Sequence, residues 1–116
     1  LDEARAIREA VTVPVISTGG YQSAGFVRGA LERGEVDAVS IARSLVANND
    51  LVQQWAAGAD LPARPCTYCN KCLVNAPKNP MGCYEEARFP SRKAMVEELM
   101  SIYATKGELR VPEVVS

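Results

Sequence analysis

Histidine is absent from this 116-residue sequence. Catalytic arrangements that pair a histidine with serine or cysteine are therefore excluded, and a metal site must use other ligands. The formal net charge is −1 and no Lys/Arg run exceeds two residues, which argues against nucleic acid and anionic membranes as partners. No apolar run approaches the roughly 18 residues that span a bilayer, and no signal peptide is recognisable. We therefore expect a soluble, cytoplasmic protein.

The cysteines are confined to one window of the chain. They follow a C-x2-C-x2-C-x10-C spacing, formed by Cys66, Cys69, Cys72 and Cys83. In a reducing cytosol, clustered cysteines are more often metal ligands than disulfides. Four thiolates suit a tetrahedral zinc ion or an iron–sulfur cluster, and the first three have the spacing of the bacterial ferredoxin run. The spacing favours iron–sulfur; zinc, disulfides and free thiols remain the alternatives.

The chain before this window has the pattern of a βαβ unit. An amphipathic helical pattern comes first, and two short apolar runs of the kind found in buried parallel strands then flank a second helical pattern. Ser23 is a candidate N-cap of that second helix, and Gly34 is its candidate end. The predicted elements are helix Leu1–Ala10, strand Val13–Ser17, helix Ser23–Gly34 and strand Val36–Ile41.

The remainder of the chain predicts fewer regular elements. Asn48 or Asn49 can cap a helix from Asp50 to Gly58, and Ser91 can cap a last helix that ends near Thr105. The excursion between Cys72 and Cys83 is predicted to be a loop, because it contains two prolines and a glycine. Glu85–Glu86 is predicted to be a solvated acidic turn, and Lys106–Ser116 a poorly ordered tail.

Two features at the strand ends predict an anion site. Gly19–Gly20 lies between a strand and a helix, where backbone N–H groups can bind an anion, although a plain tight turn has the same signature. Arg43 follows the second strand, and its guanidinium suits a phosphate, although a surface arginine is the simpler interpretation in isolation. Together, the two successive turns match the phosphate site after strands seven and eight of a (β/α)8 barrel.

Three separated runs resemble the C-terminal part of the old yellow enzyme family, FMN-dependent NADH:flavin oxidoreductases with a TIM barrel. The runs are Val13–Gly20, Val36–Asn48 and Arg64–Leu73 with the later Cys83. The cysteine run is similar to the branch that contains 2,4-dienoyl-CoA reductase and trimethylamine dehydrogenase, where four cysteines hold a [4Fe–4S] cluster close to the flavin. Because further nucleotide-binding domains do not follow, the sequence looks more like a shorter, barrel-only relative.

The resemblance implies a role for each candidate residue. Gly19, Gly20 and Ala42 would offer backbone N–H groups to the FMN phosphate, and Arg43 would offer its side chain. Cys66, Cys69, Cys72 and Cys83 would be the cluster ligands. The family's substrate-binding and proton-donating residues lie on earlier strands, so this sequence is expected to contain no catalytic donor.

The predicted fold class is α/β, the last βαβα portion of a TIM barrel followed by a cysteine-rich segment and a C-terminal helix. Residues 1–60 would be barrel units, 61–89 the cysteine-rich cluster-binding segment, and 90–116 the last helix and tail. Two parallel strands need neighbouring strands to bury their faces, and the chain begins at Leu1 in a helical pattern, so we expect a fragment whose main partner is the upstream barrel.

The predicted function is a flavoprotein oxidoreductase that takes hydride from NAD(P)H and reduces an activated C=C bond or a related acceptor in a small-molecule substrate. The fragment alone is expected to be inactive. A small zinc-stabilised structural or interaction module is the alternative from another class, and a phosphate-binding barrel with a non-flavin ligand is a third.

Overall fold

A computed structural model of the chain describes residues 1–103 and 114–115. The chain divides into two compact units, Leu1–Pro65 and Cys66–Ser116. The sequence-based division into residues 1–60, 61–89 and 90–116 therefore differs from the structural one, in which the cysteine segment and the last helix belong to one unit. Of the helices in the described residues, none combines the length and apolar character needed to cross a membrane.

The first unit contains four helices and two strands among its described residues. In chain order they are α1 (Asp2–Ala10), β1 (Ile16–Thr18), α2 (Ala24–Glu32), β2 (Ala38–Ser40), α3 (Arg43–Ala47) and α4 (Leu51–Ala56). The strands are parallel, and Ile16, Ser17 and Thr18 pair with Ala38, Val39 and Ser40. The predicted βαβ unit is thus confirmed, with both strands shorter than their apolar runs.

The caps of α2 explain its limits. Ser23 accepts a hydrogen bond from the Phe26 N–H, which satisfies one of the free donors of the first turn. At the other end, Gly34 adopts a φ of 66°, the left-handed conformation that commonly terminates a helix. Both predicted caps of this helix are confirmed. The apolar side chains of α2 are only partly covered, because Val27 is buried whereas Phe26 is 50% exposed.

Side chains also hold the ends of these elements in place. Asp37 accepts a hydrogen bond from the Val15 N–H at 2.7 Å and forms an ion pair with Arg8 of α1, also at 2.7 Å. Asp60 accepts from the Gly25 N–H at 2.6 Å and from the Ser23 hydroxyl, so it secures the start of α2. The two carboxylates therefore tie α1 to the sheet and the chain after α4 to α2.

The second unit contains α5 (Lys71–Asn75), a short 3-10 helix (Glu86–Arg88) and α6 (Arg92–Ser101) in its described part. Ser91 caps α6 by accepting from the Ala94 N–H, as predicted. Tyr84, Met95 and Leu99 form the centre of a small hydrophobic core. Gly82 is required for this packing, because a Cβ on it would lie 2.7 Å from Leu99 Cδ1.

Several local predictions were wrong. The helix α3 was not predicted, and the predicted loop after Cys72 in fact contains most of α5. Asn48 and Asn49 do not cap α4, whose N-cap position is Asp50; Asn48 instead donates to the Arg64 carbonyl at 3.1 Å.

The last helix ends at Ser101 and is followed by a turn at Ile102 and Tyr103; the predicted end near Thr105 lies outside the described residues, as does the predicted tail except for Val114 and Val115. These two residues make hydrogen bonds to the rest of the second unit. Val114 O accepts from Arg92 and the Val115 backbone bonds Asn75.

Candidate functional site

The first candidate site lies at one edge of the two-stranded sheet. Because Thr18 pairs with Ser40, the chain leaves the last pair of both strands at the same edge. Gly20 and Ala42 each stand two residues beyond that pair. The structure thus brings to one edge the two segments in which the sequence predicts phosphate-binding residues: Gly19, Gly20, Ala42 and Arg43.

The glycine turn has the backbone that the predicted role requires. Gly19 and Gly20 have φ angles of 134° and 72°, which L side chains rarely adopt. A Cβ added at either position would have no neighbouring atom within 4 Å, so the space over the turn is open. Both residues are exposed. The exposed turn therefore has room for the approach of an anion.

The second segment presents Ala42 and Arg43 at the start of α3. Ala42 is exposed and stands at the N-cap position, where its carbonyl accepts from the Val46 N–H at 3.0 Å. Arg43 is half-buried and is the first residue of α3. Ser44, which follows it, is buried at 2% exposure. The short helix α3 therefore sets the backbone position from which the Arg43 side chain extends.

The second candidate site is the cysteine segment. None of the four cysteines forms a disulfide; Cys69 is exposed and the other three are half-buried. Burial raises the pKa of the Cys72 thiol, and the charges of Cys66, Cys83 and Cys69 act in the same direction. In the part of the chain that the structure describes, no three His, Cys, Asp or Glu residues form a group that could hold a metal ion.

Hydrogen bonds to sulfur shape this segment. The Tyr68 N–H donates to Cys66 Sγ at 3.4 Å, and Arg88 Nη1 donates to Cys83 Sγ at 2.8 Å. Tyr68 and Asn70 between the cysteines both have left-handed backbones, with φ of 56° and 64°. The type of donor suits a thiolate-bound group, since four cysteines without disulfides lie in one unit and two of their sulfurs accept hydrogen bonds from N–H groups. Because the sulfurs do not form a metal-binding group among the described residues, the four-cysteine metal site stays a prediction.

Acidic and basic side chains around the cysteines pair with one another. Glu85 accepts from the Ala87 N–H, bonds the Cys69 thiol and forms an ion pair with Lys71 at 3.2 Å; these contacts lower the pKa of Glu85. The same carboxylate raises the pKa of Lys71. The prediction of Glu85–Glu86 as a solvated turn is therefore wrong for Glu85, whose side chain is only 13% exposed.

Sequence reasoning missed two polar residues that are buried in this unit. Asn75 is fully buried, and its amide bonds the backbone of Lys71 and of Val115. Arg88 is also buried, at 9% exposure. The sequence pattern around Asn75 and Arg88 does not predict their burial, because it depends on contacts that form only in the folded unit. The proximity of Arg88 to Cys83 in sequence was the only available hint.

Comparisons with known proteins find two partial relatives. The chain is 36% identical over 75 residues, 65% of its length, to a bilirubin reductase of Mediterraneibacter gnavus. It is 31% identical over 86 residues, 63% of its length, to a metal reductase of Desulforamulus reducens. The matches span only 12% and 13% of those two proteins. No family profile and no solved structure matches the chain. Both relatives are named as reductases.

Proposed function

We propose that this chain is the C-terminal part of an FMN-dependent NAD(P)H oxidoreductase with a TIM barrel. The observation that carries the proposal is the strand register, which brings Gly19–Gly20 and Ala42–Arg43 to one edge of a parallel sheet. Ligands of α/β proteins bind at the carboxyl ends of parallel strands, and the last two turns of a barrel commonly bind phosphate. The two relatives named as reductases support the general class, an oxidoreductase.

The uncovered apolar surface of the first unit supports the barrel. Val13 and Ile16 are 62% and 65% exposed, and Ile7 of α1 is 55% exposed. Parallel strands are normally covered on both faces, and two strands alone are marginally stable. The helices and the opposite strands of a barrel would cover such side chains, and upstream βα units are the elements that this fold class supplies.

The residues at the sheet edge would bind the FMN phosphate by charge and by backbone donors. The Gly19 and Gly20 N–H groups and that of Ala42 would donate to phosphate oxygens, and the Arg43 guanidinium would neutralise charge. FMN, when bound, would supply the transfer of reducing equivalents from NAD(P)H to an activated C=C bond or related acceptor. The part of this chain is to hold and orient that cofactor, with no catalytic donor among its own residues.

The cysteine segment would hold a [4Fe–4S] cluster through Cys66, Cys69, Cys72 and Cys83. Four cysteines without disulfides in one unit, together with N–H donors to two of the sulfurs, support this donor set. Such a cluster would supply one-electron transfer. Zinc is the alternative that shares the ligands. Metal analysis of protein purified with and without oxygen distinguishes them, and stoichiometric zinc without iron or sulfide under both conditions contradicts the cluster.

The test of the flavin site is the Arg43→Ala variant in the full-length protein. Loss of a charge-assisted bond to phosphate costs about 1.5–3 kcal/mol, so FMN affinity should fall at least about tenfold. Arg28→Ala is the matched control, because it removes one positive charge from the exposed side of α2. Flavin content after gel filtration is the measurement. Equal flavin retention in both variants and the wild type would overturn the assigned role of Arg43.

A further inference from the structure

Tyr21 directly follows the exposed glycine turn (Gly19–Gly20) and is itself buried. Of residues 1–20, all of which the structure describes, none is buried, whereas Tyr21 is only 3% exposed. Its ring centre lies 5.9 Å from that of Phe26 in the first turn of α2, with the two rings tilted by 38°. A buried aromatic ring removes a large apolar area from water, so it fixes the backbone that carries it. The second end of the glycine turn is therefore held in place.

The glycine turn cannot hold its own conformation by packing, because its two residues have no side chains. Glycine adopts left-handed and right-handed backbones about equally readily, so the φ angles of 134° and 72° must be imposed by what flanks the turn. On the first side, the pairing of Thr18 with Ser40 holds the chain in β1. On the second side, the buried ring of Tyr21 does so. Loss of that ring would free one end of the turn.

The N–H groups in the first turn of α2 already have partners within the chain. Those of Ala24 and Gly25 donate to Asp60, at 2.9 Å to its carbonyl and at 2.6 Å to its carboxylate. That of Phe26 donates to the Ser23 hydroxyl at 3.1 Å. A helix N-terminus binds an anion through such groups, and here oxygen atoms of the protein accept from them. A phosphate at this edge of the sheet therefore depends on the donors of the glycine turn, whose directions follow from its backbone angles.

We propose that Tyr21 is a positioning residue of the FMN phosphate site, which holds the glycine turn in its phosphate-binding conformation and so makes the protein prefer FMN to riboflavin. This inference rests on the proposed FMN site and adds to it a residue that is not among the phosphate contacts. FMN and riboflavin differ only in the phosphate. Because Tyr21 acts through the turn, its loss should weaken FMN binding and leave riboflavin binding little changed.

The experiment measures the dissociation constants of FMN and riboflavin for the flavin-free, full-length protein by titration of flavin fluorescence. The wild type should bind FMN at least about a hundredfold more tightly than riboflavin, the effect of two charge-assisted bonds to phosphate. Tyr21→Ala should lower this affinity ratio about tenfold, because ordering the backbone of roughly one residue on binding costs about that factor. Tyr21→Phe retains the ring, so its ratio should match that of the wild type.

Leu51→Ala is the matched control for general destabilisation. Leu51 is fully buried in α4 and lies outside the two phosphate-binding turns. Its truncation should weaken the fold, and with it the binding of both flavins alike, so the ratio of the two affinities should stay at the wild-type value.

The outcomes separate the role of Tyr21 from the FMN site itself. An equal ratio in Tyr21→Ala and Leu51→Ala overturns the role of Tyr21 and leaves the FMN site standing. A ratio in Tyr21→Phe as low as that in Tyr21→Ala overturns packing of the ring as the cause. A wild type that binds both flavins equally, or neither, overturns the phosphate site and this inference with it. If Tyr21→Ala binds neither flavin, Tyr21→Leu decides: a ratio below that of the wild type supports the proposal, and an unchanged ratio overturns it.

Discussion

Replacement of Asn75 by alanine should destabilise the second unit strongly. The side chain of Asn75 is fully buried and takes part in four hydrogen bonds. Its Nδ2 donates to Lys71 O at 2.8 Å and to Val115 O at 3.2 Å, and its Oδ1 accepts from the Val115 N–H at 2.8 Å and from Asn79 at 3.0 Å. One amide therefore joins α5 to a backbone segment forty residues away.

The magnitude follows from what alanine leaves behind. A buried polar group that loses its partner costs about 1–3 kcal/mol, and the Val115 N–H and C=O both lose theirs. We expect a loss of about 3 kcal/mol in the free energy of unfolding. Asn79→Ala is the control, because it removes only one of the four bonds and should cost about 1 kcal/mol. Asn75→Asp should cost more than Asn75→Ala, because a carboxylate would then face the Lys71 and Val115 carbonyls.

The assay is urea unfolding of the metal-free, reduced chain. The single tryptophan, Trp55, reports the first unit, whereas three of the four tyrosines (Tyr68, Tyr84 and Tyr103) report the second. The tyrosine signal should shift to lower urea in Asn75→Ala while the tryptophan signal stays in place. A change below about 0.5 kcal/mol, the level of an ordinary surface substitution, would refute the reasoning.

Two further predictions concern the first unit. Gly20→Ala and Gly34→Ala should destabilise the chain about equally, by roughly 1–2 kcal/mol, because the two glycines have similar left-handed φ angles of 72° and 66° and open space around them. Only Gly20→Ala should also lower FMN retention in the full-length protein. Equal FMN retention in the two variants would contradict the phosphate site. The hydrogen bond from the Gly25 N–H, and after it the bond from the Ser23 hydroxyl, lower the pKa of Asp60 from its usual 3.8. The ionised Asp60 carboxylate should therefore stabilise the fold above pH 3.8, and this contribution should disappear as the pH falls through the lower pKa of the folded state. Urea midpoints should show Asp60→Asn less stable than the wild type near pH 7 and equal to it in strong acid; a constant difference would count against the carboxylate.

The sequence predicted the elements whose determinants are local. Ser23 and Ser91 lie three residues before the N–H groups that they cap, so a short motif was enough to locate both helix starts. The order of strand, glycine turn, helix and strand likewise predicted the βαβ unit. Its parallel pairing follows because a crossover helix returns the chain to the same end of the sheet.

The elements that escaped prediction lack such local signals. Ala42 and Asn70 precede α3 and α5 without making a side-chain cap, and each of these helices has only five residues. Their stability must come from tertiary contacts, which periodicity does not reveal. The same holds for the polar contacts of the second unit. Lys71 and Glu85 are fourteen residues apart, and Asn75 and Val115 are forty apart, so only the fold could identify them as partners.

The backbone between the cysteines would link the proposed metal binding to the stability of the second unit. Tyr68 and Asn70 both have positive φ angles, and a left-handed conformation costs roughly 1–2 kcal/mol for a residue with a Cβ, somewhat less for asparagine. The Tyr68 N–H donates to Cys66 Sγ at 3.4 Å, and a cysteine sulfur is a weak acceptor. Metal–thiolate bonds would hold the same turns and contribute folding free energy directly. Cofactor loading should therefore stabilise the cysteine segment more than the sheet of the first unit, which contains none of its ligands.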